Sequence, residues 1–204
     1  PGVEVRRLYY DPSPSRPAGQ TWREPDEDAA HARALALLNE GAALVTYIGH
    51  SHQFQWAVTN SASTSAPALV KMYDADLLAN RGRLPVVRTL TCLSAAFQTP
   101  AFDGTTIDER MVVVAGRGAV AAWGPSGLGV AHGHDALARG FDRALWAAGG
   151  NAPLGMLVNA GYLELANTSP CCLDSIRTYV LLGDPLTRLH VEPMQRIFLP
   201  LVQN

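Results

Sequence analysis

Charge is scarce in this sequence, and lysine more so. Asp, Glu, Lys and Arg together make up 17% of 204 residues, with 16 Lys+Arg against 18 Asp+Glu and a formal net charge of −2. A nucleic-acid-binding face needs a basic surplus, so no nucleic-acid partner is expected. Lys71 is the sole lysine; the remaining basic residues are arginines in an Ala-rich chain, a bias of composition rather than of mechanism. Long apolar runs are missing too. Met111 to Ala115 and Gly118 to Trp123 are interrupted by Gly and Arg far short of the ~20 residues a bilayer demands, so no membrane partner is expected either. Cysteine is limited to Cys92, Cys171 and Cys172. However they pair, one thiol is left over, and neighbours in sequence rarely join, which excludes a disulfide framework. There is no internal repeat and no linker. No signal-peptide pattern stands at the N-terminus, which opens on Pro1-Gly2 without Met, and the compartment is left open between export and cytoplasm.

What the chain does have is 48% hydrophobic residues, enough for a core and too many for a disordered polymer. Residues 1–204 read as one domain, or most of a larger one. Short β-like runs alternate with helical patterns, the sign of a mostly parallel sheet sandwiched between helices. Val3 to Tyr10 reads as a first strand and residues 11–25 as a Pro-rich loop. Asp26 to Glu40 reads as a helix with an acidic first turn suited to the helix dipole. Ala43 to Ile48 is an apolar run of strand length, followed at once by Gly49-His50-Ser51-His52. Residues 60–70 read as a loop, Asp74 to Asn80 as a short helix and Pro85 to Leu90 as a strand, with Cys92 just beyond it. Thr105 to Ala115 is a predicted helix and Gly118 to Trp123 a buried strand, with Gly124-Pro125-Ser126-Gly127 as the loop at its end. Val130 to Ala148 and Pro153 to Asn167 are predicted helices. Ile176 to Leu182 fits strand or helix, and Thr187 to Val191 closes the chain as a strand after the Gly183-Asp184-Pro185 turn.

In open α/β sheets ligands bind beyond the carboxyl ends of the strands. Here successive strands end in Gly49-His50, in Thr91-Cys92 and in Trp123-Gly124-Pro125. A His and a Cys on neighbouring strand ends can act as a nucleophile pair, the imidazole assisting thiolate formation and then protonating a leaving amine. His52 stands two residues after His50 and can serve the same role; the Gly before His50 favours His50. A zinc site from His50, His52 and Cys92 lacks a fourth ligand at a recognisable spacing, and no metal site is assigned. His132 and His134 open a helix but point to different faces, so they read as solvent-facing imidazoles beside an N-capping Asp135. Cys171 and Cys172 read as loop or core thiols, and Asp184 as a turn former.

Tyr47-Ile48-Gly49-His50, Leu84-Pro85-Val86-Val87 leading to Thr91-Cys92-Leu93, Asp108-Glu109-Arg110, Gly118-Ala119-Val120-Ala121 and Leu182-Gly183-Asp184-Pro185 resemble, in order, the gingipain-type cysteine peptidases of the caspase-like clan. The resemblance runs from about Tyr9 to Val191. It implies a caspase-like fold, a peptide or protein substrate, and acyl transfer through an acyl-enzyme, with Cys92 as nucleophile and His50 as its base. The oxyanion donors it implies are the backbone N–H groups of Cys92 and Ser51. It places a wall of the P1 pocket at Trp123, Gly124, Pro125 and Ser126, with His52 lining the cleft. A Trp there would stack on a flat or cationic side chain, and the competing reading of Trp123 is a core cap. No cofactor is required; a structural or activating Ca2+ is compatible with the family and is not written in this sequence. Two residues depart from the family pattern, Ser51 and Ala95 standing where relatives carry Gly. They motivate a second reading, a catalytically weakened caspase-like interaction module. The family's domains carry further strands ahead of the one Val3 to Tyr10 would match. The resemblance therefore implies that this chain is the larger, C-terminal part of the domain, lacking its N-terminal strands, and that a companion segment or chain completes the sheet along Val3 to Tyr10.

Overall fold

A computed structural model describes residues 3–12, 19–57, 68–99 and 105–192. The first elements are slight: β1 (Tyr9–Tyr10) runs parallel to β2 (Arg23–Glu24). The strand expected over Val3 to Tyr10 is thus reduced to two residues outside the main sheet. Its alternation of Val with charged residues looks β-like, but no face of it is buried, and Val5 is 65% exposed. The loop expected over 11–25 contains β2; its residues 13–18 lie outside the described residues. Helix α1 (Glu27–Glu40) starts where the Asp26 carboxylate accepts the Ala29 N–H at 2.8 Å, a conventional N-cap.

Strand β3 (Leu44–Ile48) is followed by a small antiparallel sheet of β4 (Ser51–His52), β5 (Gln55–Trp56) and β6 (Val70–Lys71). Of the loop expected over 60–70, residues 60–67 lie outside the described residues and the end is β6. A 3-10 helix over Met72–Leu77 replaces the short helix expected from Asp74 to Asn80. The Asp74 carboxylate accepts the Lys71 N–H at 2.6 Å, which moves the start upstream. Then come β7 (Val86–Leu90), α2 (Ile107–Val113) and β8 (Ala121–Pro125). They lead to α3 (Ala131–Ala147), β9 (Asn151–Pro153) and α4 (Leu154–Thr168). A 3-10 turn over Pro170–Cys172, α5 (Asp174–Thr178), β10 (Tyr179–Leu182) and β11 (Arg188–His190) complete the order. β11 pairs antiparallel with β9 beside the main sheet.

The main sheet has four strands in the order β10-β8-β7-β3, with β3, β7 and β8 parallel and β10 antiparallel. β7 and β8 are buried along their whole length, as apolar runs with helices on both faces should be. Alternation divides them between two cores. Val86, Leu90, Ala121 and Trp123 face α3 and α4 through Leu137, Phe141, Leu157 and Leu165. Val87 and Ala122 face α1 and α2 through Leu38, Ile107 and Met111. No helix among the described residues is long and apolar enough to cross a membrane.

Candidate active site

The parallel register of β3 on β7 pairs Ile48 with Leu90. His50 and Cys92 therefore stand at matching positions, each two residues beyond that pair. The ladder continues one step past it, the Gly49 N–H donating to the Leu90 carbonyl at 3.4 Å. Gly49 is required by space: a Cβ there would come within 2.6 Å of the Tyr47 hydroxyl. That hydroxyl donates to the His50 carbonyl at 2.5 Å and accepts the Ala57 N–H at 2.7 Å. The Ala57 N–H also reaches the His50 carbonyl, at 2.8 Å. Burial pushes the Tyr47 phenol up to about 12, so it stays a neutral donor, and its ring stacks on Trp56 at 5.1 Å. The backbone of His50 is fixed in this way while its ring is exposed to solvent.

Cys92 is half-buried. Its Sγ lies against Gly129, accepting that residue's N–H at 3.4 Å and donating to its carbonyl at 3.6 Å. The next residue, Leu93, has φ of +61°, a left-handed conformation that a branched side chain adopts only where the surroundings enforce it. The enforcing bonds come from the end of β8. Leu93 N–H donates to the Gly127 carbonyl at 3.0 Å, and Ala95 N–H to the Pro125 carbonyl at 2.9 Å. The loop after β3 is tied to the same turn. Ser51 Oγ donates to the Cys92 carbonyl and accepts from Thr91 Oγ1, the latter at 2.9 Å.

Under the turn lies a group that sequence reasoning had treated only as part of a motif. Asp108, in the first turn of α2, is completely buried. Its Oδ2 accepts from Thr89 Oγ1 and from Ser94 Oγ, both at 2.8 Å, and its N–H donates to the Ser94 carbonyl at 3.1 Å. Burial raises the carboxyl from an ordinary 3.8 to about 6, with Ser94, Thr89 and Trp56 pulling it back down. Its position in sequence gave one signal, an acidic residue at a helix start. That signal reads as a dipole partner rather than as a neighbour of Cys92.

The residues expected to wall a pocket are placed differently. β8 ends at Pro125 rather than at Trp123, so Gly124 and Pro125, expected in a loop, join Trp123 in a buried strand. Trp123 is wholly buried, its ring 5.4 Å from Phe141, 5.9 Å from Tyr162 and 5.6 Å from Tyr179, with its N–H on the Tyr162 hydroxyl at 3.3 Å. It is a core residue and presents no face to a substrate. Ser126 is half-buried, and both its N–H and its hydroxyl donate to the Thr178 carbonyl, at 2.7 and 2.8 Å. His52 is exposed, with its ring 5.4 Å from Phe54. Among the described residues no three His, Cys, Asp or Glu side chains gather as metal ligands, and His50, His52 and Cys92 do not form such a group. Of the helix-opening histidines, His132 is exposed as expected and His134 is not. Val130 is the N-cap of α3, Asp135 pairs with Arg139 at 2.8 Å, and His134 is buried 5.7 Å from the Tyr179 ring, where burial lowers its pKa. Asp184 does form its turn, accepting the Leu186 N–H at 2.8 Å. Cys171 is exposed and Cys172 buried.

The profile of peptidase family C25 matches residues 1–190. The fold is similar to that of gingipain R, an Arg-specific cysteine proteinase, with a TM-score of 0.64 and 17% identity over 79% of this chain and 36% of that one. A complex of the pro- and mature domains of RgpB from Porphyromonas gingivalis matches with a TM-score of 0.63 and 16% identity, over 78% of this chain and 36% of that one. A structure described only as a protease matches at 0.61 and 14%, over 84% of this chain and 40% of that one. These likenesses establish a caspase-like fold. The chain spans little more than a third of the length of the two gingipain chains, 36% in each case. No curated protein matches.

Proposed function

Since the chain belongs to peptidase family C25, matched over residues 1–190, we propose that it is a thiol endopeptidase in which Cys92 is the nucleophile and His50 the proton carrier. The observation that supports this most is the β3–β7 register, which sets the two residues at equivalent places on adjacent strand ends. His50 takes the Cys92 thiol proton as Sγ attacks the peptide carbonyl. It returns that proton to the leaving amine as the C–N bond breaks, leaving a thioester. Water, deprotonated by His50, then attacks the thioester; the C–S bond breaks, the acid product leaves and the thiol is restored. Backbone N–H groups of Cys92 and Ser51 are the oxyanion donors of this scheme.

The companion segment moves with the fold. Val3 to Tyr10 is not an edge of the main sheet, but β3 is: it has β7 on one side and no strand on the other among the described residues. Its terminal Ile48 is 73% exposed. A further segment, from the same polypeptide or another chain, would pair along β3, where it would also flank His50.

Labelling with acyloxymethyl ketones that vary at P1 tests the chemistry and reads the P1 preference. Cys92 should be modified in the wild type and nothing should be modified in Cys92→Ala. His50→Ala should slow labelling on the order of 10²-fold or more, the usual contribution of a positioned acid–base group. An unlabelled wild type, or labelling that survives Cys92→Ala, rejects the proposal.

A further inference from the structure

We propose that Asp108 is a positioning residue for Cys92, an anionic anchor that holds the nucleophile turn through Ser94 and Thr89. This rests on the reading of Cys92 as nucleophile. Asp108 touches no solvent and makes three bonds to β7 and the turn: its Oδ2 accepts from the Thr89 and Ser94 hydroxyls, and its backbone N–H donates to the Ser94 carbonyl. The two hydroxyls are 2.9 Å apart, so both lean on one oxygen. Thr89 lies on β7, three residues before Cys92, and Ser94 two residues after it. The anchor therefore grips both ends of the segment that carries Cys92 and the strained Leu93.

Room for the carboxyl is made by Gly124 of β8, where any Cβ would collide with Thr89 Oγ1 and Asp108 Oδ2. On the far side Asp108 Oδ1 closes no ordinary hydrogen bond. The Trp56 indole N–H, itself without one, is turned toward the same carboxyl from β5. Tyr179 of β10 feels the charges of Cys92, Asp108 and Tyr162, and burial holds its phenol far above its ordinary range.

A purely structural carboxyl would be poorly chosen for this place. Buried and titrating near 6, it is ionised at neutral pH at the expense of the fold. A residue that opposes stability beside a candidate nucleophile is what functional placement produces. Its charge lets one oxygen take two hydroxyl donors firmly, in charge-assisted bonds about twice as strong as neutral ones.

Asp108→Asn and Ser94→Ala, made separately in the full chain, test this by three readouts: peptide turnover, iodoacetamide alkylation of Cys92 followed on its own tryptic peptide from about pH 5 to 8, and the urea midpoint. For Asp108→Asn the urea midpoint at neutral pH should equal or exceed the wild type. Cys92 alkylation and kcat should nevertheless fall on the order of tenfold, short of the ~10²-fold that a misplacement of about 1 Å brings, with KM little changed. In a His50→Ala background, which removes the imidazole that titrates in the same window, the alkylation profile should carry an inflection near 6 that adding Asp108→Asn abolishes. Ser94→Ala keeps the carboxyl and removes the one side-chain bond that joins it to the turn after Cys92, and should lower the same two rates. Parallel loss of stability and rate in Asp108→Asn, an inflection that survives in the His50→Ala, Asp108→Asn double variant, or an unaltered rate in Ser94→Ala overturns the anchor. If wild type cleaves no peptide yet alkylation responds as described, the peptidase reading falls and the anchor stands. If wild type cleaves peptides and both variants match it, the reverse holds.

Discussion

Trp123 and Gly124 are consecutive on β8 and serve opposite faces of the sheet. Trp123 enters the core against α3 and α4, where it stacks on Phe141 and meets Tyr162 and Tyr179 edge-on. Gly124 faces α2 and contributes no side chain, which leaves space for the Asp108 carboxyl beneath the Cys92 turn. One face is thus filled with the largest side chain available and the other is emptied to admit a charge. The first arrangement stabilises the fold by burial and contact. The second opposes stability and gives the turn a fixed geometry. Strand β8 carries both because alternation sends neighbours to opposite faces.

Substitutions can separate the two roles. The largest effect is expected at Trp123. Trp123→Ala should cost about 3–5 kcal/mol in urea denaturation, the range for deleting a large buried aromatic, and Trp123→Phe less. Because Trp123 has no exposed face, Trp123→Phe should leave the P1 labelling profile unaltered; a changed preference would return Trp123 to the substrate pocket. The next effect is the pH dependence of stability on the other face. A carboxyl raised by burial from 3.8 to about 6 contributes fully to stability below 3.8, and that contribution is lost as pH rises through 6. Wild type should therefore lose up to roughly 3 kcal/mol relative to Asp108→Asn on going from about pH 4 to pH 7. Paired denaturation curves at those two pH values measure the difference, in which the other carboxylates cancel. Equal pH dependence in the two proteins would mean that Asp108 titrates as an ordinary carboxyl.

The difference between these faces also explains what was legible in the sequence. Strands β3 and β7 were found to within one residue because their apolar runs are long enough for a local pattern to show. Their ends were legible too, and His50 and Cys92 with them, since a chemistry-bearing residue directly after a strand needs no tertiary knowledge. Val3 to Tyr10 misled because alternating Val and charge imitates a half-buried strand, yet burial depends on whether another element covers it. β4, β5 and β6 are two residues each and β9 three, too short to show any period. The resemblance puts Trp123 at a pocket wall, and the competing reading of a core residue is the one the structure bears out, because the face of β8 that Trp123 occupies is covered by α3 and α4. Asp108 could not be found at all. Its part depends on Thr89, Ser94 and Gly124, which meet it only once β7, β8 and α2 are assembled.

The smallest expected effect concerns Ser51, the residue that departs from the family's glycine. Its hydroxyl sits between the Thr91 hydroxyl and the Cys92 carbonyl and so ties the His50 loop to the nucleophile turn. Removing it should cost about 1 kcal/mol of stability, the net worth of a bond of this kind. Ser51→Gly and Ser51→Ala divide the possible roles. If the tie aligns the two loops, both should slow Cys92 labelling a few-fold, because both lack the hydroxyl. If the tie instead holds the Ser51 N–H away from its oxyanion position, Gly should label faster than Ala and faster than wild type, since only Gly gains conformational freedom there. We expect the first result. The Thr91 hydroxyl orients the Ser51 hydroxyl toward its acceptor, so in this chain a side-chain bond links two loops that a glycine would leave joined by backbone alone.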